Sequence, residues 1–563
     1  MASFLRHLMS TSLLFILPLF HAIPTNCFSS TQPLCHDNES SALLQFKESF
    51  DRNVNACNGP FDYPKTASWK LEGVNKDCCS WDGVECDEDT GHVIGLNLSS
   101  SCLYGSMASN SSLFRLVHLQ RLNLAYNDFN FSQVPNGFGN LSKLTYLNLS
   151  NSFFWGQVPP KFSELSKLSS LDLSHNFMLY LISLKSLVQN LTSLEDLRLS
   201  EAIIKISQAI CLNSTRVPPS KVCRSRVLVF FGKLPASIGN LDSLNELHIG
   251  SCNFSGLIPP SLGNLTQLTT LNLFNNSFIG VIPSSFSNLL FLNYLDLSGN
   301  QLSGSIPSSF GNLTQLSFLD FSYNSFMGHI PPSLSNLISM GYLDFSHCQF
   351  SGSIPSSFDI LHNQTRLLWL DLSDNNIQGQ IPKWVMNISE ETTVVNFSYN
   401  LLTGFDQSMV NFTWPQLQIL DLRSNKLQAL PPIPHHPPYI PQLCVKGSRM
   451  KMIDLSQNQF KGVLPRSLSN CRKLEILNLG SNNLNDVFPT WLGPLPKLRE
   501  TVYPKIIEVF AAIDLSSNNF NGMIPEFIGN LMGSNCSTSY NNLTGRIPLS
   551  LGNLTTLESL DLS

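Results

Sequence analysis

The chain has 563 residues, of which 13% are charged and 42% hydrophobic, with a formal net charge of −5. Soluble proteins average about 25% charged residues, so much of the polar surface here must come from uncharged side chains. A weakly acidic chain offers no basic footprint for nucleic acid; frequent Leu and Phe exclude disorder; and Gly 32 with Pro 33, without a three-residue period, exclude collagen.

The N-terminus reads as a secretory signal peptide over residues 1–25. Arg6 and His7 make a weakly basic start, Leu8 to Phe20 is an apolar run, and small or polar residues follow from Ala22. The run is too short for a comfortable membrane span of about 20 residues, and no later apolar stretch of about 18 residues exists. The chain is therefore expected in the secretory pathway.

A cysteine-bearing block occupies residues 35–86. It holds Cys35-His36, the segment Ser41 to Lys47, Trp69, and Asp77-Cys-Cys-Ser-Trp-Asp-Gly-Val-Glu-Cys86. A zinc site would call for C-x2-C spacing with His partners, which the block lacks.

From residue 92 to 563 the sequence repeats. The pairs Leu247/Ile249, Leu271/Leu273, Leu295/Leu297, Leu319/Phe321 and Leu343/Phe345 recur at a constant spacing. Each sits in a unit with the leucine-rich repeat pattern L-x-x-L-x-L-x-x-N/C-x-L. Apolar residues two apart point the same way from a short strand, so stacked units predict a parallel sheet lining a concave face. Five residues after the first strand leucine comes a polar column: Asn127, Asn176, Cys252, Asn276, Asn300, Asn324, Cys348, Asn375, Asn400, Asn425, Asn458, Asn482 and Asn518. An amide both donates and accepts, so this column is expected to satisfy buried backbone groups of adjacent coils. A Phe or Leu column two residues further on, from Phe129 to Phe350, is expected to fill the core. Gly256, Gly280, Gly304, Gly328 and Gly352 are expected to permit tight turns. A solenoid buries its core between neighbouring repeats, so one array replaces the three or four domains that the length suggests.

The cysteine block and the Leu/Ser-Gly-x-Ile-Pro repeats together resemble plant receptor-like proteins of the Cf disease-resistance type, over residues 30 to 563. The resemblance implies an α/β leucine-rich repeat solenoid, a horseshoe or superhelix with a parallel concave sheet and a disulfide-bearing N-terminal cap. It implies that Cys35 pairs with Cys78 and Cys79 with Cys86; Cys57, Cys211, Cys223, Cys444, Cys471 and Cys536 have no assigned partner. It further implies an extracellular receptor at the plasma membrane that binds a protein, peptide or glycan ligand and signals in plant defence through a co-receptor kinase with leucine-rich repeats. A secreted inhibitor of microbial wall-degrading enzymes, or a non-functional fragment, is the alternative.

Four stretches depart from the period: 201–232, 431–450, 499–512 and 531–541. The family's later repeats, acidic juxtamembrane segment and membrane helix do not follow Ser563. The sequence is therefore expected to be truncated and to miss internal segments.

Glycan acceptors of the N-x-S/T type include Asn97, Asn148, Asn190, Asn264, Asn312, Asn387, Asn396, Asn411 and Asn553. No hydrolase, zinc-protease, phosphate-loop or kinase signature is present, so no enzyme, cofactor or metal is expected. The recurring Asp of Leu-Asp-Leu, as at Asp296, Asp320, Asp344 and Asp371, reads as strand decoration, because no convergent second group accompanies it. The position before the first strand leucine faces the concave side. It carries Tyr294, Phe318, Tyr342 and Trp369 on successive strands, with Glu246 upstream and His248 on the same strand as Glu246. These residues are the candidate ligand-binding surface, within residues 240 to 375. Sequons at Asn97, Asn148 and Asn396 take the central outward strand position on either side of this window and none takes it inside.

Overall fold

The computed structural model describes residues 34–52, 62–71, 76–201, 203–204, 232–360, 367–388, 391–406, 416–428, 444, 446–492, 495, 513–526, 536–553 and 560–561. The signal-peptide stretch, Cys57, Cys211, Cys223 and Asn411 lie outside them.

Within the described residues nineteen strands join one long sheet. It starts at Val84–Cys86, which pairs antiparallel with Val93–Asn97, and continues in parallel register to Leu560–Asp561. Leucines stack on leucines along it: Leu247 on Leu271, Leu295, Leu319 and Leu343, four of them fully buried and Leu343 3% exposed. The convex side carries single 3-10 turns, such as Pro260–Asn264 and Ser308–Asn312, each entered through a proline. Proline suits the start of a helical turn because its φ is already fixed near −65°.

The asparagine column does what its chemistry predicts. Asn300 Nδ2 donates to the carbonyls of Leu273 and Leu297, both at 3.0 Å, and its Oδ1 accepts from the Phe278 amide at 3.0 Å. Each such side chain ties one coil to the one before. Cys252 and Cys348 direct Sγ at the preceding coil's carbonyl of Leu199 and Phe321. The column also includes Ser152, which donates to the Leu124 carbonyl, and Asn541, which donates to the Leu515 carbonyl; the sequence reading omits both.

Three further differences emerge. The glycines expected at tight turns lie inside the strands of a second, eight-stranded parallel sheet that runs from Gly232–Lys233 to Leu401–Phe405. Gly256, Gly280, Gly304, Gly328 and Gly352 hold φ between 78° and 84°, the region that side chains disfavour. The stretch 531–541 contains a strand, Cys536–Ser537, in register between Ile513–Asp514 and Leu560–Asp561. Backbone pairing and the Asn541 amide link these described residues to the preceding coil although the usual strand leucines are absent. Where long irregular stretches intervene, the flanking strands still pair directly: Leu197 with Leu247, Leu420 with Ile453, and Leu477 with Ile513.

The N-terminal end is shielded by the helix Asp37–Glu48, which buries Ala42, Leu43 and Phe46, and by the stacked indoles of Trp69 and Trp81. Disulfides join Cys35 to Cys78 and Cys79 to Cys86, so these thiols hold each other rather than a metal. Cys102 is also disulfide-bonded. A further, buried disulfide ties Cys444, within the 431–450 stretch, to Cys471.

A candidate ligand-binding face

Parallel register brings the four aromatic residues into one row. Tyr294 pairs with Phe318, Phe318 with Tyr342, and Tyr342 with Trp369. Their rings stack with centroids 4.2, 4.4 and 5.6 Å apart and interplanar angles below 20°. Strand spacing near 4.8 Å sets this arrangement, because residues on the same face of neighbouring strands stand side by side. All four are half-buried. The Trp369 Nε1 atom is buried and has no partner among the described residues.

Beside this row runs a carboxylate row at the third strand position: Asp296, Asp320, Asp344 and Asp371. One oxygen of each caps the following turn. Asp296 Oδ1 accepts from the Ser298 amide at 3.0 Å and hydroxyl at 2.6 Å, and Asp320 and Asp371 repeat the arrangement with Ser322 and Ser373. Asp344 Oδ1 accepts from the Ser346 amide at 2.9 Å. The other oxygen varies. The Tyr294 hydroxyl donates to Asp296 Oδ2 at 3.3 Å, the Tyr342 hydroxyl to Asp344 Oδ2 at 3.2 Å, and Asn396 Nδ2 to Asp371 Oδ2 at 2.9 Å. Phe318 has no hydroxyl to offer Asp320.

Burial dominates the electrostatics. It raises Asp320 to about 7, with Asp344 and Asp296 adding to the shift, and raises Asp371 to about 6, with Asp344 adding. Asp296 and the phenols of Tyr294 and Tyr342 are also raised by burial. The aspartates thus serve as turn caps; the sequence reading takes them only as strand decoration and misses the capping, their burial and their position alongside the aromatic row.

Glu246 and His248 belong to a different arrangement. They sit one strand beyond Thr270–Asn272, outside the row, in a cluster with Asp196 and Arg198. Arg198 Nε lies 3.0 Å from Asp196 and Arg198 Nη2 lies 2.5 Å from Glu246, while His248 Nε2 is 3.2 Å from Glu246. Three metal-capable side chains converge here, but the guanidinium already supplies the positive charge between the two carboxylates.

A second column, four residues after the strand leucine, went unread in the sequence. Tyr323 and His347 stack with centroids 4.1 Å apart, His347 Nδ1 lies 2.7 Å from Asp374, and the Arg423 guanidinium lies over the Tyr399 ring. The same repeat spacing that revealed the aromatic row would have found it.

The sequon asparagines at the central strand position are structurally equivalent to the aspartates. Asn148 and Asn396 Oδ1 accept from the amide and hydroxyl of Ser150 and Ser398, as Asn97 does from Ser99. Asn97, Asn190, Asn264 and Asn312 are exposed, whereas Asn148 and Asn396 are half-buried. The side chains of Asn387 and Asn553 lie outside the described set.

The chain matches the leucine rich repeat N-terminal domain over residues 36–87, and leucine rich repeat families over 266–326 and 448–500 and four further segments between 243 and 531. It is 48% identical over 138 residues to Receptor-like protein 6 of Arabidopsis thaliana, covering 23% of this chain and 13% of that relative. It is 45% identical over 120 residues to Receptor-like protein Cf-9 of Solanum pimpinellifolium, covering 20% and 14%. The matched stretch thus spans about one seventh of the length of each relative. Among solved structures, the chain resembles the Arabidopsis receptor kinase HAESA in complex with the peptide hormone IDA and the co-receptor SERK1. The TM-score is 0.67 at 25% identity, over 94% of this chain and 90% of that one.

Proposed function

Because the chain is a plant leucine-rich repeat receptor-like protein, we propose that it reads an extracellular ligand on its concave face, within residues 240 to 375. The carrying observation is the stacked row Tyr294, Phe318, Tyr342 and Trp369 on successive strands of the concave sheet. Stacked aromatic residues present large rigid contact area at little entropic cost, and such residues dominate binding hot spots. The ligand class is a protein, peptide or glycan from a pathogen or from the plant itself. The solved neighbour, in complex with a peptide hormone and a co-receptor, supports a peptide ligand and a co-receptor partner; that the partner is a kinase with leucine-rich repeats rests on the family resemblance.

In this reading residues 1–25 export the chain, residues 35–86 cap it, and residues 92–563 form the recognition array. It works at the outer face of the plasma membrane or in the extracellular space. Among the described residues no helix is long and apolar enough to cross a membrane. The reading assigns binding and no chemical reaction. A place in plant defence rests on the resemblance to Cf-type disease-resistance proteins, and the chain's similarity to Receptor-like protein Cf-9 is in keeping with that resemblance.

The test is alanine at Tyr294, Phe318, Tyr342 and Trp369 together, in the full chain expressed in leaf tissue and challenged with a pathogen extract that triggers a response. The response is expected to disappear while the protein still accumulates. An unchanged response removes this face from the mechanism.

A further inference from the structure

Between Lys233 and Arg366 the sequence contains no lysine or arginine, yet it contains six aspartates and glutamates. Three of these, Asp296, Asp320 and Asp344, stand on adjacent strands of the aromatic window. Their charge is therefore not neutralised within this stretch, in contrast to the Arg198 cluster. Within the row one acceptor is left open. Asp296 and Asp344 each receive a tyrosine hydroxyl, but Phe318 stands where the matching tyrosine would be, and Asp320 Oδ2 has no hydrogen-bond partner among the described residues. Two strands away a donor is left open as well: Trp369 Nε1 is buried and unpartnered among the described residues. Buried polar groups in native proteins are nearly always paired, so the buried, unpartnered Trp369 Nε1, two strands from a half-buried carboxylate oxygen with no partner among the described residues, points to a ligand that supplies both complements.

Resting on the concave-face reading above, we propose that the face takes an extended peptide, placing a lysine or arginine side chain at Asp320 and a backbone carbonyl at Trp369 Nε1. Two strand steps span about 9.6 Å, the reach of about three extended residues, so both contacts fall within one short segment. A polyamine would satisfy the carboxylate but brings no acceptor for the indole N–H, which favours a peptide. Asp320 must be ionised to attract the cation. It is faced by Asp296 and Tyr294 on one neighbouring strand, by Asp344 and Tyr342 on the other, and by Cys348 behind. None of these is a cation, and burial among them raises Asp320 to about 7. Peptide affinity therefore increases from pH 5 to pH 8.

The experiment titrates the purified chain with three pentapeptides, acetyl-Ala-Lys-Ala-Ala-Ala-amide and its norleucine and glutamate counterparts, at low ionic strength. Binding is followed by tryptophan fluorescence and saturation-transfer NMR. The lysine peptide is expected to bind at least tenfold more tightly than the norleucine peptide, and the glutamate peptide more weakly still. Asp320→Asn is expected to erase the lysine advantage. Phe318→Tyr, which keeps the ring and supplies the missing hydroxyl, is expected to reduce it several-fold with an unchanged melting temperature. Equal binding of lysine and norleucine peptides, a lysine advantage that survives Asp320→Asn, or no binding by any of the three overturns the cation subsite. If the norleucine peptide binds and the four-alanine variant loses it, the concave face stands while the subsite fails. If peptide binding survives the four alanines, the face itself fails.

Discussion

Two stretches of the concave sheet share one parallel register and differ sharply in their outward side chains. Around the strands Asp196–Arg198 and Glu246–His248, opposite charges close on one another: Arg198 bridges Asp196 and Glu246, and Glu246 also holds His248. From Tyr294 to Trp369, stacked rings flank carboxylates that no lysine or arginine neutralises within residues 234–365. The first stretch is electrostatically self-sufficient and the second is not. A repeat scaffold thus separates what holds the coils together from what they offer to a partner, because the inward and outward positions of a strand alternate.

The strongest way to test that separation is to break the part both stretches share. Asn176→Ala and Asn300→Ala remove equivalent side chains, one near each stretch, and each leaves several buried backbone groups unpaired. Each is expected to cost about 3 kcal/mol. Native-state hydrogen exchange would show this as lost protection at the Phe154 and Phe278 amides respectively. Unequal costs would mean that the two stretches differ in their cores as well as on their surfaces.

The outward positions should then diverge. The four-alanine variant of the aromatic row is expected to weaken binding of the lysine pentapeptide by about 100-fold, or about 2.7 kcal/mol, measured by the same titration. Alanine at both Arg198 and Glu246 is expected to change it by less than about threefold. A comparable loss from both sets of changes would erase the distinction.

Stability against pH gives a third test. Asp320 binds its proton more tightly folded than unfolded, so its contribution is full below about pH 4 and is lost as pH rises through about 7. Asparagine fits this site, since Asn148 and Asn396 already cap the same turn. Asp320→Asn is therefore expected to raise stability at pH 8 by about 1–2 kcal/mol after allowing for its partial exposure, and to flatten the melting temperature between pH 5 and 8. A melting curve as pH-dependent as that of the parent chain would contradict the burial argument. The smallest effect belongs to the closed cluster. Arg198→Ala is expected to cost about 0.5 kcal/mol, because partly exposed ion pairs contribute little; a loss of several kcal/mol in urea unfolding would show that the cluster is structural.

Much of this was legible in the residues. The asparagine column was identifiable because its spacing is constant and its amide has one obvious use, and the aromatic row was identifiable because it repeats at an outward position. Other features escaped for physical reasons. Asn541 and the strand Cys536–Ser537 were missed because the usual leucines are absent there, while backbone pairing needs none. The second sheet was missed because its glycines read as turns, and nothing in a glycine's identity says whether its positive φ falls at a turn or within a strand. The Cys444–Cys471 disulfide was missed because Cys444 lies within the 431–450 stretch, where the sequence departs from the repeat period and gives no register.

The sequence by itself determined the coil, its period, its capped N-terminal end and the identity of the residues on the concave face. Those are local or periodic properties, written into each repeat. The tertiary structure alone decided that Phe318 leaves Asp320 Oδ2 open while its neighbours close theirs, that Trp369 Nε1 is buried without a partner among the described residues, and that Glu246 turns to Arg198 rather than to the aromatic row. These outcomes depend on distances between coils. Side chains far apart in sequence come within hydrogen-bonding reach only when successive strands stack about 4.8 Å apart.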